Sequence, residues 1–335
     1  MLNKKTAIKI FSEIKKAKTV LLLVHVAPDT DGIASVLAMN LFLKSLGKKT
    51  RIISFGQIPF KFQYLSGVEA IETFDFAKVN FKAYDLFISI DCAQEIKITR
   101  SPFPQKFPKN FKIINIDHHV SNTKFGHINL VEAVSSTAEL LYQLFGLWQV
   151  KIDRKLASLL FIGVFADTGC FQYPLTTPDT FRMGADLIEK RASLNDAVIQ
   201  NFRSYNFKTL KYWGRVLDNM QVDKSKTFVW SKITEEERLQ LEVETTEMEG
   251  ASNLFAPIVA GTEFGIILTE ESGNLTRGSL RSRAGFDVSK IAVDLGGGGH
   301  KQAAGFSVNL PPAEAEKKIF EVIYKQLGLK VEEGV

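Results

Sequence analysis

The 335-residue chain has only two cysteines, Cys92 and Cys170. That excludes a disulfide framework and any paired-thiolate zinc site. It has no apolar run of the roughly 18 residues that a membrane span requires. The most apolar stretch near the N-terminus, TVLLLVHV, is short, runs straight into PDTD and is followed by no small-residue cleavage site. A cytoplasmic protein with no membrane partner is therefore expected. Long internal repeats and low-complexity tails are absent too. The net charge of +5 is only mildly basic. Such a charge suits a polyanionic substrate, but a solvated basic surface is the plainer reading of it.

What is present is ordinary globular material, 45% hydrophobic and 24% charged, enough for two domains. The first half alternates short β-rich runs with helical patterns. TVLLLVHV, TRIISFG, YDLFISID and FKIINID read as strands; DGIASVLAMNLFLKSLG, ending at Gly47, reads as a helix. STAELLYQLFGL and RKLASLLFIGVFADTG read as two more helices. This alternation predicts an α/β domain with a mainly parallel sheet flanked by helices, over residues 1–185. Residues 186–220 turn charged and helical and read as a linker. From 221 to 335 a smaller α/β domain is expected, with KTFVWSKI, FGIILTE and LTRGSLRSR as its strands.

Five histidines are few enough to weigh one by one. His25, Asp29 and Asp31 lie in VHVAPDTDG, directly after the first expected strand. Asp91 closes LFISID, Asp117, His118 and His119 close IINID, and Asp167 lies in GVFADTG. Singly, each has a plain explanation: an aspartate after a strand is commonly a helix cap or turn residue. Together they are harder to dismiss. Several acids gathered at the strand ends of one sheet would form a negative pocket, and like charges at close range cannot all stay ionised without cations. Carboxylate with imidazole suits Mn²⁺, Fe²⁺, Zn²⁺ or Co²⁺. One shared carboxylate can hold two such ions roughly 3.5–4 Å apart, which favours in-line displacement at phosphorus.

In the second half, GGGGHKQAAGF places four glycines before His300. Glycines leave no side chains in a ligand's way, and their N–H groups can cradle a phosphate. Arg281 and Arg283 nearby can pair bidentately with phosphate or stack on bases. The plain readings are kept elsewhere. His127 is expected in a turn, Cys92 and Cys170 as packing residues, Trp148, Trp213 and Trp230 as core or interface aromatics, and FPQKFPKNFK as an inter-element loop.

The four acid and histidine blocks, in this order, resemble the DHH phosphoesterase superfamily, and the glycine segment resembles its C-terminal DHHA1 domain. With SSTAELLYQL, ADTGCFQY and SLRSRAGFDVSKIA, the chain is most similar to the NrnA-like branch of nanoRNases and phosphoadenosine-phosphate (pAp) phosphatases, over nearly its whole length. The resemblance implies hydrolysis of short oligonucleotides or pAp by metal-activated water. It implies two divalent ions, Mn²⁺ first and Mg²⁺ or Co²⁺ as alternatives. His25, Asp29 and Asp91 would hold one ion. Asp31, Asp91, His118 and Asp167 would hold the other, with Asp91 bridging. Asp117 would orient a histidine and His119 would face the phosphate, so that Asp91, Asp117 and His119 form the catalytic set. The DHHA1 segment implies substrate binding by His119 with Arg281, Ser282, Arg283, Gly298, Gly299 and His300. Closing the two domains would then admit short substrates and exclude long ones.

Two departures bear on substrate. This chain reads PDTDGIAS where the branch commonly has PDGDAIGS. It has Cys170 and Gln172 where Ser or Asn and Arg are frequent. The alternative activity is cleavage of a cyclic dinucleotide or its linear product, and a homodimer is a candidate assembly. A pyrophosphatase would share the metal motifs but not GGGGHKQAAGF, and a regulatory module without catalysis would lack one of the ligands.

Overall fold

The computed structural model describes residues 2–104, 106–243, 248, 250–283 and 285–329. The chain divides into two compact units, Met1–Ser204 and Tyr205–Val335. The break falls inside the charged helical stretch 186–220.

The first unit contains α1 (Lys4–Lys16), β1 (Thr19–Val24), α2 (Thr30–Ser45), β2 (Lys49–Ser54), β3 (Ile71–Thr73), β4 (Leu86–Ile90), β5 (Lys112–Asp117) and β6 (Ile128–Val131). Helices α3 (Thr137–Leu147), α4 (Arg154–Asp167), α5 (Pro178–Glu189) and α6 (Leu194–Phe202) follow. Its six strands pair in parallel in the order β3-β2-β1-β4-β5-β6. The order reverses direction between β1 and β4, and at such a switch point the loops leaving the strands diverge and open a crevice.

The central strands β1 (TVLLLV) and β4 (LFISI) are almost wholly apolar because both of their faces are buried. Along β1, Val20, Leu22 and Val24 join the core beneath α1 to α4, while Leu21 and Leu23 point the other way. No α-helix lies in that second cluster among the described residues. It is covered instead by 3-10 turns at Phe76–Lys78 and Phe81–Ala83 and by the Phe-rich loop, in which Phe103 stacks on Phe76 while Phe107 and Phe111 pack at steep angles against Phe81. Helices thus cover one face of the sheet and an aromatic layer the other. These side chains are bulky enough to exclude water without a regular element.

The second unit contains α7 (Phe207–Asp218), β7 (Gln221–Val222), β8 (Phe228–Ile233), α8 (Glu235–Gln240), α9 (Ala251–Phe255), β9 (Phe264–Glu271), β10 (Leu275–Ser282), α10 (Val288–Asp294), β11 (Gly298–His300), β12 (Ala303–Asn309) and α11 (Pro312–Leu327). Its sheet runs β11-β12-β10-β9-β8-β7, antiparallel except for the β8–β9 pair. One face packs on α10 and α11, the other on α7 and α9. Among the described residues no helix is long and apolar enough to cross a membrane.

Candidate active site

The acids and histidines of the first unit converge at the carboxyl ends of β1, β4 and β5. His25 follows β1. Its Nδ1 lies 3.1 Å from the Val26 carbonyl, which fixes the donor on that nitrogen and turns the Nε2 lone pair inward. Nε2 is buried without a hydrogen-bond partner, 3.7 Å from an Asp91 carboxylate oxygen and 3.9 Å from one of Asp29. Asp29 caps α2 by accepting the Gly32 N–H at 2.8 Å, so the helix-cap reading and the site reading hold together for this residue. A side chain at Gly32 would collide with the His25 ring, which explains a glycine in the first turn of a helix.

Asp31 is buried in that same turn. It accepts the backbone N–H groups of Thr137 at 2.7 Å and Ala138 at 3.0 Å. Asp91, directly after β4, is buried at φ 56°, in the left-handed region that few non-glycine residues occupy outside special sites. Its N–H donates to the Ile116 carbonyl and its Oδ1 accepts the Thr137 hydroxyl at 2.8 Å. That oxygen lies 3.7 Å from His118 Nε2. His118 Nδ1 is placed 3.2 Å from the Val134 carbonyl, so its Nε2 also turns inward, 3.4 Å from Asp167 at the end of α4.

The adjacent residues Asp117, His118 and His119 serve separate purposes because β5 ends at Asp117 and the chain is free to turn there. Asp117 is fully buried. Its Oδ1 accepts the His118 N–H and bonds His119 Nδ1 at 2.8 Å, while Asn122 donates to its Oδ2. The histidine that Asp117 orients is therefore His119. His119 Nδ1 is occupied by that bond, and the side chain is 41% exposed.

The electrostatics follow from crowding. Burial, and then the Asp91 and Asp167 charges, push Asp31 well above the usual carboxylate range. Burial and Asp29 push Asp91 up; burial and Asp91 push Asp167 up to about 8. The Asp117 hydrogen bond lifts His119 to about 9. Without a compensating cation the cluster retains protons. Among the described residues three donor sets, His25–Asp29–Asp91, Asp31–His118–Asp167 and Asp91–His118–His119, each have their ligand atoms within 4.8 Å of one another, a spacing a metal ion could bridge. The buried, unpartnered His25 Nε2 beside two carboxylates fits such an ion.

In the second unit the register brings part of the expected binding set together. Arg281 on β10 and His300 on β11 both pair with Ala303 on the intervening strand β12, so the three share one face at one end of the sheet. Arg281 also donates to Asn253 of α9, and Ser282 accepts from Gly285. Arg283 is exposed, and its backbone bonds Glu263. The glycine run is less open than expected. Gly296 ends α10 at φ 78°, a Cβ on Gly297 would strike the β12 backbone, and Gly299 at φ 145° approaches Ala304 as closely. Gly298 alone of the four has both space and an unconstrained φ.

Thr137, Asn122 and Gly32 escape the sequence reading although each touches the cluster or its immediate support. A signal was available for Thr137. Ser136 followed by Glu139 is a helix-start pattern, and a helix start aims N–H groups at whatever lies before it.

The model of the DHH family, N-terminal domain, matches residues 19–164, and that of the DHHA1 domain matches 232–328. The bifunctional oligoribonuclease and PAP phosphatase NrnA of Thermus thermophilus is 27% identical over 95% of this chain and 94% of its own length. The protein of the same name from Bacillus subtilis is 27% identical over 87% of this chain and 89% of its own. An exopolyphosphatase-related protein from Bacteroides fragilis superposes with a TM-score of 0.89 at 25% identity, over 98% of both chains. Fold and cluster together define an α/β phosphoesterase, a hydrolase, with its acids and imidazoles at the switch point of a parallel sheet. The chain carries an N-terminal domain of the DHH family and a DHHA1 domain.

Proposed function

We propose that the protein is a two-metal phosphoesterase that removes nucleotides from one end of short oligonucleotides and also dephosphorylates 3'-phosphoadenosine-5'-phosphate. The observation that carries this reading is that Asp91 stands between two donor sets, a member of His25–Asp29–Asp91 and, through Oδ1, 3.7 Å from His118 Nε2 of Asp31–His118–Asp167. The names of the Thermus and Bacillus relatives support the substrate class. His25, Asp29 and Asp91 hold one divalent ion, and Asp31, Asp91, His118 and Asp167 hold the other, with Mn²⁺ the first choice. Two such ions supply Lewis acidity at phosphorus and lower the pKa of water.

The chain's own residues do the rest. Asp117 holds the His119 ring, whose other nitrogen donates to the substrate phosphate. The Asp117 bond raises the imidazole pKa and favours its cationic form, which stabilises the charge gathering on the phosphate oxygens. Arg281, Ser282, Arg283, Gly298, Gly299 and His300 bind the substrate's phosphate or base.

The test is a substrate panel, with Mn²⁺, Mg²⁺ and Co²⁺ in turn. It contains a dinucleotide, a pentanucleotide, a long RNA, 3'-phosphoadenosine-5'-phosphate and a cyclic dinucleotide. The expected result is fastest turnover of the short linear compounds, a measurable rate on the phosphomonoester and little on the long RNA. A strong preference for the cyclic dinucleotide would replace this reading with a cyclic-dinucleotide phosphodiesterase.

A further inference from the structure

The N-terminus of α3 touches two deeply buried carboxylates of the cluster, Asp31 and Asp91, at once. Thr137 donates its backbone N–H to Asp31 Oδ2 at 2.7 Å and its hydroxyl to Asp91 Oδ1 at 2.8 Å; Ala138 adds its N–H to Asp31 Oδ1 at 3.0 Å. Asp31 and Asp91 are 2% and 4% exposed, and Thr137 is fully buried, so water does not compete for these bonds. The close approach is made possible by Gly163 of α4, where a Cβ would meet both Asp31 Oδ1 and the Ala138 Cβ at 2.7 Å.

Asp91 is the residue whose orientation matters most. Its two oxygens face two different imidazoles, Oδ2 toward His25 Nε2 and Oδ1 toward His118 Nε2, each at 3.7 Å. A carboxylate can serve both sides only if its plane is held between them. The backbone places Asp91 in a left-handed conformation, but rotation about its side-chain bonds remains, and the Thr137 hydroxyl on Oδ1 removes it. A neutral donor suits this task. It orients the carboxylate without supplying a positive charge that would displace an ion, and such supporting contacts commonly tune ion affinity by about 10–100-fold.

We propose that Thr137 is a positioning residue that sets the plane of Asp91 between the two ion sites, an inference that rests on the two-ion reading above. The experiment is Mn²⁺ titration of the full-length, metal-stripped protein by calorimetry, alongside Mn²⁺-dependent kinetics on a dinucleotide. The variants are Thr137→Val, Thr137→Ala and Thr137→Ser. Valine keeps the shape and the N–H but loses the hydroxyl, alanine controls for any misfit of valine, and serine restores the donor. Val and Ala are expected to weaken Mn²⁺ binding by about 10-fold or more. They should lower kcat at fixed Mn²⁺ while KM for the dinucleotide stays near the parent value; Ser should recover most of the loss. Parent-like Mn²⁺ affinity in a folded Val or Ala variant overturns the inference and leaves the two-ion reading standing. So does a Ser variant as weak as Val. If the parent protein itself binds no Mn²⁺, the two-ion reading fails and takes this inference with it.

Discussion

Gly32→Ala is the smallest change that reaches the centre of the site. A Cβ at position 32 would lie 2.6 Å from His25 Nε2, 2.8 Å from His25 Cδ2 and 3.0 Å from Asp91 Oδ2. The first of these is about 0.8 Å inside ordinary van der Waals contact, so the imidazole must move by close to 1 Å. Two effects on stability oppose each other. Alanine is the better helix former by about 1 kcal/mol, while overpacking a tight contact costs roughly 1–3 kcal/mol. The fold should therefore lose no more than about 2 kcal/mol. Activity has no such compensation, because a 1 Å displacement of a catalytic group costs on the order of 10²-fold in rate, about 2.7 kcal/mol of barrier. The assay pairs a thermal melt with kcat/KM on a dinucleotide at saturating Mn²⁺. A variant that melts within a few degrees of the parent but has lost about two orders of magnitude in kcat/KM fits the geometry. Turnover within about threefold of the parent would show that the His25 position is not critical and would refute the reasoning.

Other outcomes follow from the same contacts. Asp91→Asn or His118→Ala should abolish hydrolysis with little loss of fold, since each changes a donor rather than the core; near-normal turnover in either would count against the ligand assignment. Ion binding should expel protons, because Asp31, Asp91 and Asp167 hold them more tightly than free carboxylates do. Calorimetry in buffers of different ionisation enthalpy should find proton release at pH 7, and the part of it due to Asp167 should fade as pH passes about 8, where that group ionises unaided. The same shift fixes the sign of the stability change. A carboxylate raised in the folded state costs stability once the unfolded chain ionises near pH 4, and the cost grows until the folded group ionises. The metal-stripped protein should therefore melt lower at pH 8 than at pH 5, and Asp167→Asn should flatten the slope. An unchanged or rising melting temperature would contradict the crowding argument. In the aromatic layer, Phe76→Ala should cost roughly 3–5 kcal/mol by denaturant titration, since its ring is fully buried against Phe81, Phe87 and Phe103. A loss under about 1 kcal/mol would mean that the layer is not packed as a core.

The parts of the fold that can be read from sequence are those with strong periodicity. Strands β1, β2, β4 and β5 and helices α2, α3 and α4 fall where the apolar runs place them, and the signal is strongest in β1 and β4, since a doubly buried parallel strand has to be apolar nearly throughout. The short strands β3 and β6 are too brief to carry a period, and the aromatic layer is built from side chains of non-periodic loops. The convergence of His25, Asp29, Asp31, Asp91, His118 and Asp167 is legible because each stands where an apolar element ends. The partnerships among them are not. Which histidine Asp117 grips depends on how the chain turns after β5, and the reach of Thr137 to Asp91 depends on α3 and α4 closing over Gly163. The glycine run shows the reverse error. Four glycines suggest an open cradle, yet a helix end and two close backbone approaches account for three of them.

The central claim is that two ions share Asp91. A crystal of the protein soaked in Mn²⁺ and measured near the manganese absorption edge tests it directly. The account predicts two anomalous peaks about 3.5–4 Å apart, one beside His25 and Asp29, the other beside His118 and Asp167, with the Asp91 carboxylate between them. A single peak, two peaks that do not share Asp91, or no density at this cluster would contradict it.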